Sequence, residues 1–334
     1  MTRVLAVRLD NDGDVLLVGP AIRALAAGAE HVALLCGPRG RHAAALLPGV
    51  DELLVWRAPW IDPEPEPVDR AAVDDLIAHV AEFDADRAIV FGSFHQSPLP
   101  TALVLRMAGV PWIGATSVDY AGSLLDLRHR IDDDVHEVER SLDLVQAAGF
   151  PLPADDDAAL RVRGVRRAAP GYEYVVVHPG ASVPARAWGA ERNAELVKAL
   201  VAAGRTVVVT GSPLERELTA CVAGSGGVDL GGVTDLAGLA AVIAGAGAIV
   251  AGNTGPAHVA AAVGTPVVSL FAPTLPAVRW RPWKVLHELL YVDVPCAGCR
   301  ARTCPVPGHP CLAEVEVADV VAAVDRLAPP GVRA

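Results

Sequence analysis

Short, wholly apolar runs alternate along the chain with longer stretches in which apolar residues recur every three or four positions. The runs are of the kind that fills a parallel sheet buried on both faces, and the longer stretches have the period of amphipathic helices. In the first half the runs predict strands over 4–7, 31–36, 52–55, 88–91 and 111–113, with helices over 14–27, 41–47, 69–83, 98–108 and 136–148. In the second half strands are expected over 174–177, 206–210, 248–251 and 267–270, and helices over 190–203, 214–222, 235–244, 256–263 and 315–327. Strands alternating with helices read as βα units and therefore as α/β sheets of parallel strands.

One segment breaks the pattern. Gly149-Phe150-Pro151-Leu152-Pro153-Ala154-Asp155-Asp156-Asp157 is rich in proline and acid, and a domain boundary is placed after it, between about residues 150 and 170. The expected domains are 1–160 and 161–334, with the last helix packing back on the first domain. Gly19-Pro20-Ala21 and Gly255-Pro256-Ala257 each open an Ala-rich helix, a recurrence that fits two similar doubly wound domains. Ligands of such sheets bind beyond the carboxyl ends of the strands.

Composition narrows the function classes. With 334 residues, 52% hydrophobic and 20% charged, the chain has material for about two cores. Its 39 acidic and 28 basic residues leave a formal charge of −11, which disfavours nucleic acid and anionic membrane surfaces as partners. The acidic runs Asp132-Asp133-Asp134 and Asp155-Asp156-Asp157 favour a weakly charged substrate in the first half. Residues 236–278 carry no formal charge, but Asn253-Thr254-Gly255-Pro256 and Gly264-Thr265-Pro266 interrupt them before a membrane span is reached. Arg8 and Asp10 come too early for a secretory signal, so the chain reads as a cytoplasmic monomer without a transmembrane segment.

The first loop that could carry chemistry is Leu9-Asp10-Asn11-Asp12-Gly13-Asp14. Three carboxylates this close repel one another; helix capping by Asp12 or Asp14 accounts for one of them and leaves the others to be explained. Asp10-x-Asp12-Gly13 resembles the nucleophile motif of haloacid-dehalogenase-type phosphatases, but Lys198 and Lys284 stand in the wrong order for that family. An Asp12-Gly13-Asp14 metal clamp lacks an identifiable third ligand, and no Gly-x-x-x-x-Gly-Lys-Ser/Thr motif is present. In the second half, three strand-to-helix loops carry small residues: His178-Pro179-Gly180-Ala181-Ser182, Gly211-Ser212-Pro213 and Gly252-Asn253-Thr254-Gly255-Pro256. Each is expected to turn backbone N–H groups toward anionic oxygens, as a nucleotide diphosphate requires.

Four passages in order along nearly the whole chain resemble the heptosyltransferase family, glycosyltransferase family 9. They are Gly13-Asp14-Val15 with Pro20-Ala21-Ile22-Arg23-Ala24-Leu25; His178 to Ser182 with Arg186-Ala187-Trp188; Thr210-Gly211-Ser212-Pro213-Leu214-Glu215; and Asn253-Thr254-Gly255-Pro256-Ala257-His258. The resemblance implies a GT-B fold, two doubly wound Rossmann-like domains facing a central cleft, the first binding the acceptor and the second the nucleotide sugar. It implies metal-independent, inverting transfer of a heptose from an ADP-sugar donor to a small-molecule or saccharide acceptor, without a cofactor. Asp14 would be the general base, with Gly13 beside it. Arg186 would neutralise the departing diphosphate and Glu215 would accept from the ribose hydroxyls. Gly180, Ser182, Ser212, Asn253, Thr254, Gly255 and His258 would complete the donor site. The family has Asp where this chain has Asn253. The alternatives are a haloacid-dehalogenase-like phosphatase using Asp10 and Asp12, and a non-catalytic nucleotide-sugar-binding protein, which could dispense with Asp14.

Some polar residues read as structural. Trp188 is expected to be packing, His178 a hydrogen-bonded strand-end histidine, and Cys36 and Cys221 inert core residues. Cys296, Cys299, Cys304 and Cys311, with His309 among them, have the composition of a zinc knuckle; the expectation is nevertheless no metal, and a segment that shapes a loop beside the donor site.

Overall fold

A computed structural model describes residues 2–93, 95–131, 134–165 and 174–329. The chain divides into two compact units, Met1–Arg163 and Gly164–Ala334. Asp132 and Asp133 of the first acidic run lie outside the described residues, as does part of the expected boundary region.

In the first unit, β1 (Arg3–Arg8), β2 (His31–Cys36), β3 (Glu52–Val55), β4 (Arg87–Val90), β5 (Trp112–Thr116) and β6 (Leu127–His129) form one sheet in the order β3-β2-β1-β4-β5-β6. Every pairing is parallel. The central strands β1, β2 and β4 are buried almost throughout, which is why their sequences are continuous apolar runs. Between the strands run α1 (Asp12–Leu17), α2 (Gly19–Gly28), α3 (Arg41–Leu46), α4 (Arg70–Phe83), α5 (Leu99–Met107) and α6 (Glu137–Ala147). In α4 the apolar stripe Leu76, Val80 and Phe83 is buried, Asp69 caps the first turn by accepting from the N–H groups of Ala71 and Ala72, and Asp84 closes the helix in the left-handed region. The helix expected over 14–27 is two helices, divided at Val18. Pro20 has no N–H to return to Leu16, so the ladder fails there.

The second unit repeats the plan with β7 (Tyr174–His178), β8 (Thr206–Gly211), β9 (Val228–Gly231), β10 (Ala248–Gly252), β11 (Val267–Leu270) and β12 (His287–Leu290), ordered β12-β11-β10-β7-β8-β9 and again wholly parallel. Its helices are α7 (Ala190–Ala202), α8 (Arg216–Ala223), α9 (Leu236–Ala244), α10 (Gly255–Val263), α11 (Ala277–Trp280), α12 (Pro310–Ala313) and α13 (Val317–Leu327). α13 buries Val320, Ala323 and Val324 in this unit's own core, against Val250, Val268 and Leu270.

Each sheet has one topological switch point. In the first, β1 lies between β2 and β4, so the chain leaves β1 toward one side and returns on the other. In the second, β7 and β10 flank the switch. The loops beyond β1 and β4, and beyond β7 and β10, therefore splay apart and open a crevice at each switch.

Among the described residues no helix is long and apolar enough to cross a membrane. The acidic run at 155–157 is not a free linker: Asp156 takes a two-pronged contact from Arg23 at 2.6 and 2.8 Å, and Arg161 reaches Asp156 and Asp157 at 3.2 and 2.8 Å. Those carboxylates are neutralised within the first unit and so impose no preference for a weakly charged substrate.

Candidate functional site

The first switch point is built around a buried arginine that the pattern of carboxylates did not reveal. Arg8, the last residue of β1, is 1% exposed. Its Nε lies 2.8 Å from Asp10, its Nη2 donates to Asp14 Oδ1 at 3.2 Å and to Ser93 Oγ at 2.9 Å, and its Nη1 is 4.0 Å from Glu137. Burial opposes its charge, but Asp10, Asp14 and Glu137 together outweigh that and hold the guanidinium above its ordinary value. Charge compensation by Arg8 is thus what lets several carboxylates crowd this loop.

The three aspartates of the loop have different surroundings. Asp10 accepts from Gln96 Nε2 at 2.5 Å, and burial pushes its carboxyl upward despite Arg8. Asp12 Oδ1 accepts from the Ala43 N–H at 2.9 Å, so it caps α3, a neighbouring helix, rather than its own. Burial, only partly offset by that bond, raises its carboxyl as well. Asp14, in the first turn of α1 next to Gly13, retains 23% side-chain exposure. Asp10 is held by Arg8 and Gln96, and one oxygen of Asp12 is taken by the Ala43 N–H. Asp14 has one oxygen fixed by Arg8 and stays partly exposed, as does Asp12, whose side chain is 29% exposed; Asp10 is the buried member of the three.

At the second switch point the three small-residue loops do not behave alike. The loop after β7 opens a three-residue 3-10 turn, Pro184–Arg186, and α7 begins only at Ala190. The loop after β8 forms a capping box: the Ser212 hydroxyl accepts from the Glu215 N–H while Glu215 Oε2 accepts from the Ser212 N–H at 2.7 Å. The Ser212-x-x-Glu215 spacing carried that signal in the sequence. The loop after β10 enters α10 with Thr254 as N-cap and no side-chain cap. This third loop leads directly into an α-helix, whereas the loops after β7 and β8 lead first into 3-10 turns.

Two glycines tie the loops together. A Cβ on Gly180 would lie 1.9 Å from the Glu215 carboxylate, so Gly180 is the gap into which Glu215 fits. A Cβ on Gly252 would lie 2.8 Å from the Arg186 carbonyl oxygen, so the 3-10 turn rests directly on the end of β10. Arg186 is half-buried there, and Ser182 is exposed. Asn253 is 6% exposed; its Nδ2 reaches the Ala272 carbonyl at 3.5 Å, and its Oδ1 is buried without a hydrogen-bond partner among the described residues. Such an acceptor is costly to leave unmatched and suits a ligand hydroxyl. His258 is buried on α10, 6% exposed.

The residues read as structural divide. His178 shares a 3.0 Å hydrogen bond with the Thr210 hydroxyl, and burial pushes its imidazole down to about 4, against the pull of Glu215. Trp188 is 2% exposed within the core. Cys36 is fully buried and its thiol is pushed up to about 12 by burial and then by Asp12. Cys221 is exposed, because α8 turns Thr219, Val222 and Ala223 inward instead. Cys311 is buried, and burial followed by the nearby Cys304, Cys296 and Cys299 raises its thiol. Among the described residues no three His, Cys, Asp or Glu side chains are grouped so as to hold a metal ion. The Cys-rich segment instead grips the turn that carries Arg186: Ala185 donates to the Arg302 carbonyl at 3.0 Å, and His309 Nε2 meets the Ala185 carbonyl at 3.1 Å.

Comparison with known proteins places the chain by family and fold. The model of glycosyltransferase family 9 (heptosyltransferase) matches residues 76–309, more than half of the chain. Lipopolysaccharide heptosyltransferase 3 of Escherichia coli is 33% identical over 179 residues, 50% of each chain. Lipopolysaccharide heptosyltransferase 1 of Pseudomonas aeruginosa is 36% identical over 175 residues, 51% of this chain and 48% of that one. The chain thus spans about half the length of these curated relatives. The solved structure of the E. coli ADP-heptose lps heptosyltransferase II has the same fold, with a TM-score of 0.74 over 98% of both chains at 21% identity.

Proposed function

The chain belongs to glycosyltransferase family 9, and from that premise we propose that it is an inverting heptosyltransferase using ADP-heptose as donor and a saccharide hydroxyl as acceptor. The observation that carries this reading is the second switch point: the uncapped start of α10, the unmatched buried Asn253 Oδ1, Glu215 and Arg186 all lie on loops at one end of one parallel sheet, within the span that the family model matches. A diphosphate suits the α10 start and the Arg186 guanidinium, and Asn253 suits a sugar hydroxyl. In this reading the second unit holds the donor and the first unit the acceptor.

Asp14 takes the proton from the acceptor hydroxyl as that oxygen attacks the anomeric carbon. The new carbon–oxygen bond forms on the face opposite the leaving group, the bond to the diphosphate oxygen breaks, and configuration inverts. ADP departs with its developing charge met by Arg186 and the N–H groups of the Thr254–Gly255 turn. Positive charge from Arg186 and the helix start takes the place a metal ion fills in other transferases, so transfer is metal-independent.

Calorimetry with ADP, followed by mass spectrometry of reactions containing ADP-heptose and a panel of neutral and phosphorylated oligosaccharides, tests the reading. ADP binding that survives EDTA and a heptosylated product of inverted configuration are expected. Loss of binding with chelator overturns metal independence; ADP-heptose bound but never transferred favours a nucleotide-sugar-binding protein.

A further inference from the structure

Asp14 stands in the first turn of α1, a six-residue helix whose N-cap residue, Asn11, makes no side-chain cap bond. A short helix of this kind does not by itself immobilise a carboxylate, because its side chain keeps its rotamer choices. Arg8, by contrast, sits on the central strand of the first sheet, in register with Cys36 of β2 and buried on every side. The guanidinium faces Asp10 and Asp14 from the loop and helix after β1, Glu137 from the start of α6, and Ser93 from the loop after β4; Gln96 of that loop in turn holds Asp10. Nη2 is shared between Ser93 Oγ at 2.9 Å and Asp14 Oδ1 at 3.2 Å, so the group that fixes Arg8 and the group that Arg8 fixes meet on one nitrogen.

We propose that Arg8 is the positioning residue for Asp14: a guanidinium anchored on the rigid sheet by Ser93 and Asp10 holds Asp14 Oδ1 so that the carboxylate presents its other oxygen to the acceptor hydroxyl. This inference rests on the reading of Asp14 as the base. Arg8 does not touch substrate; its contribution passes through Asp14. Arginine suits the task because its planar fork serves several acceptors in fixed directions, which an ammonium does not. Retaining a buried charge at this place is costly, and a role in orientation gives a reason for it.

The test uses the whole protein with ADP-heptose as donor and lipopolysaccharide-core oligosaccharides, neutral and phosphorylated, as acceptors. Arg8→Lys keeps the charge that the buried carboxylates need but loses the fork, and turnover is expected to fall about 10- to 100-fold, the scale of a misplaced catalytic group, with ADP affinity unchanged. Ser93→Ala frees the anchor without altering any charge and serves if Arg8→Lys folds poorly; it is expected to lower turnover about fivefold, within the same range of orientation effects. The deciding arm is the Asp14→Asn background. There neither substitution should cost more than about twofold, since a residue acting through Asp14 has nothing left to act on. Equal losses in both backgrounds, or full turnover in Arg8→Lys and Ser93→Ala beside an inactive Asp14→Asn, overturn the positioning role alone. Full turnover in Asp14→Asn overturns the base assignment and this inference with it.

Discussion

Asp14 and Arg186 are expected to fail in different ways, because one is assigned to the acceptor proton and the other to the departing diphosphate. Asp14→Asn keeps the shape of the side chain and loses its basicity, so steady-state rates should fall by roughly 10²–10⁴-fold while calorimetry finds ADP affinity nearly unchanged. Arg186→Ala should weaken ADP binding itself, by about 1.5–3 kcal/mol if the contact is charge-assisted and desolvated. Glycine at 180 is required by its neighbour: Gly180→Ala drives a methyl into the Glu215 carboxylate, and overpacking of this kind costs about 1–3 kcal/mol. Chemical denaturation should show that loss, with Glu215→Ala in the same chain recovering much of it. His178 ties stability to pH. Its folded value of about 4 lies below the ordinary 6.5, so between those values the unfolded chain binds the extra proton. Stability should therefore fall as pH drops from 6.5 to 4, by on the order of 3 kcal/mol from this group. His178→Gln should flatten that part of the melting-temperature profile.

At the scale of elements, the assignment of each aspartate turns on which helix it serves. Asp12 supports α3 from a loop far away in sequence, so Asp12→Ala should lower stability by about 1 kcal/mol, the usual worth of a cap, and leave transfer rates intact. An inactive but well-folded Asp12→Ala protein would return the phosphatase-like reading to contention. The Cys-rich segment makes a second case. His309 holds the 3-10 turn of Arg186 through the Ala185 carbonyl, so His309→Ala should weaken ADP binding in calorimetry more than it lowers the melting temperature. The central strands and most helices were legible because burial on both faces leaves continuous apolar runs and burial on one face leaves a helical stripe. The strands that were not foreseen, β6, β9 and β12, are all sheet edges. Leu-Arg-His, Val-Asp-Leu-Gly and His-Glu-Leu-Leu lack the apolar continuity of a central strand, since one flank of an edge strand is not covered by a neighbour.

For the whole molecule, two units of the same doubly wound kind each bring one switch point, and the proposed reaction divides between them. Hydrogen exchange on the intact protein provides the corresponding test: ADP should protect backbone amides around 179–186, 211–216 and 252–258 while leaving those of 9–17 close to their unliganded rates. Protection centred on 9–17 instead would reverse the division of labour between the units. The net charge of −11 says little about either site, because charges such as Asp156 are consumed by internal partners like Arg23.

The sequence by itself determined the α/β class, the repeated domain plan, the family and the loops on which chemistry would be sought, because periodicity, turn residues and motif order are local properties of the chain. Tertiary structure alone decided the partner of each of three neighbouring aspartates. Asp10 is taken by Arg8 and Gln96, Asp12 by the start of α3, and Asp14 is gripped by Arg8 while it remains partly exposed. It also decided that Gly180 makes room for Glu215, and that a cysteine-rich tail segment braces Arg186. These are pairings between residues distant in sequence, and their energies depend on burial and direction, which exist only once the sheets have brought the loops together.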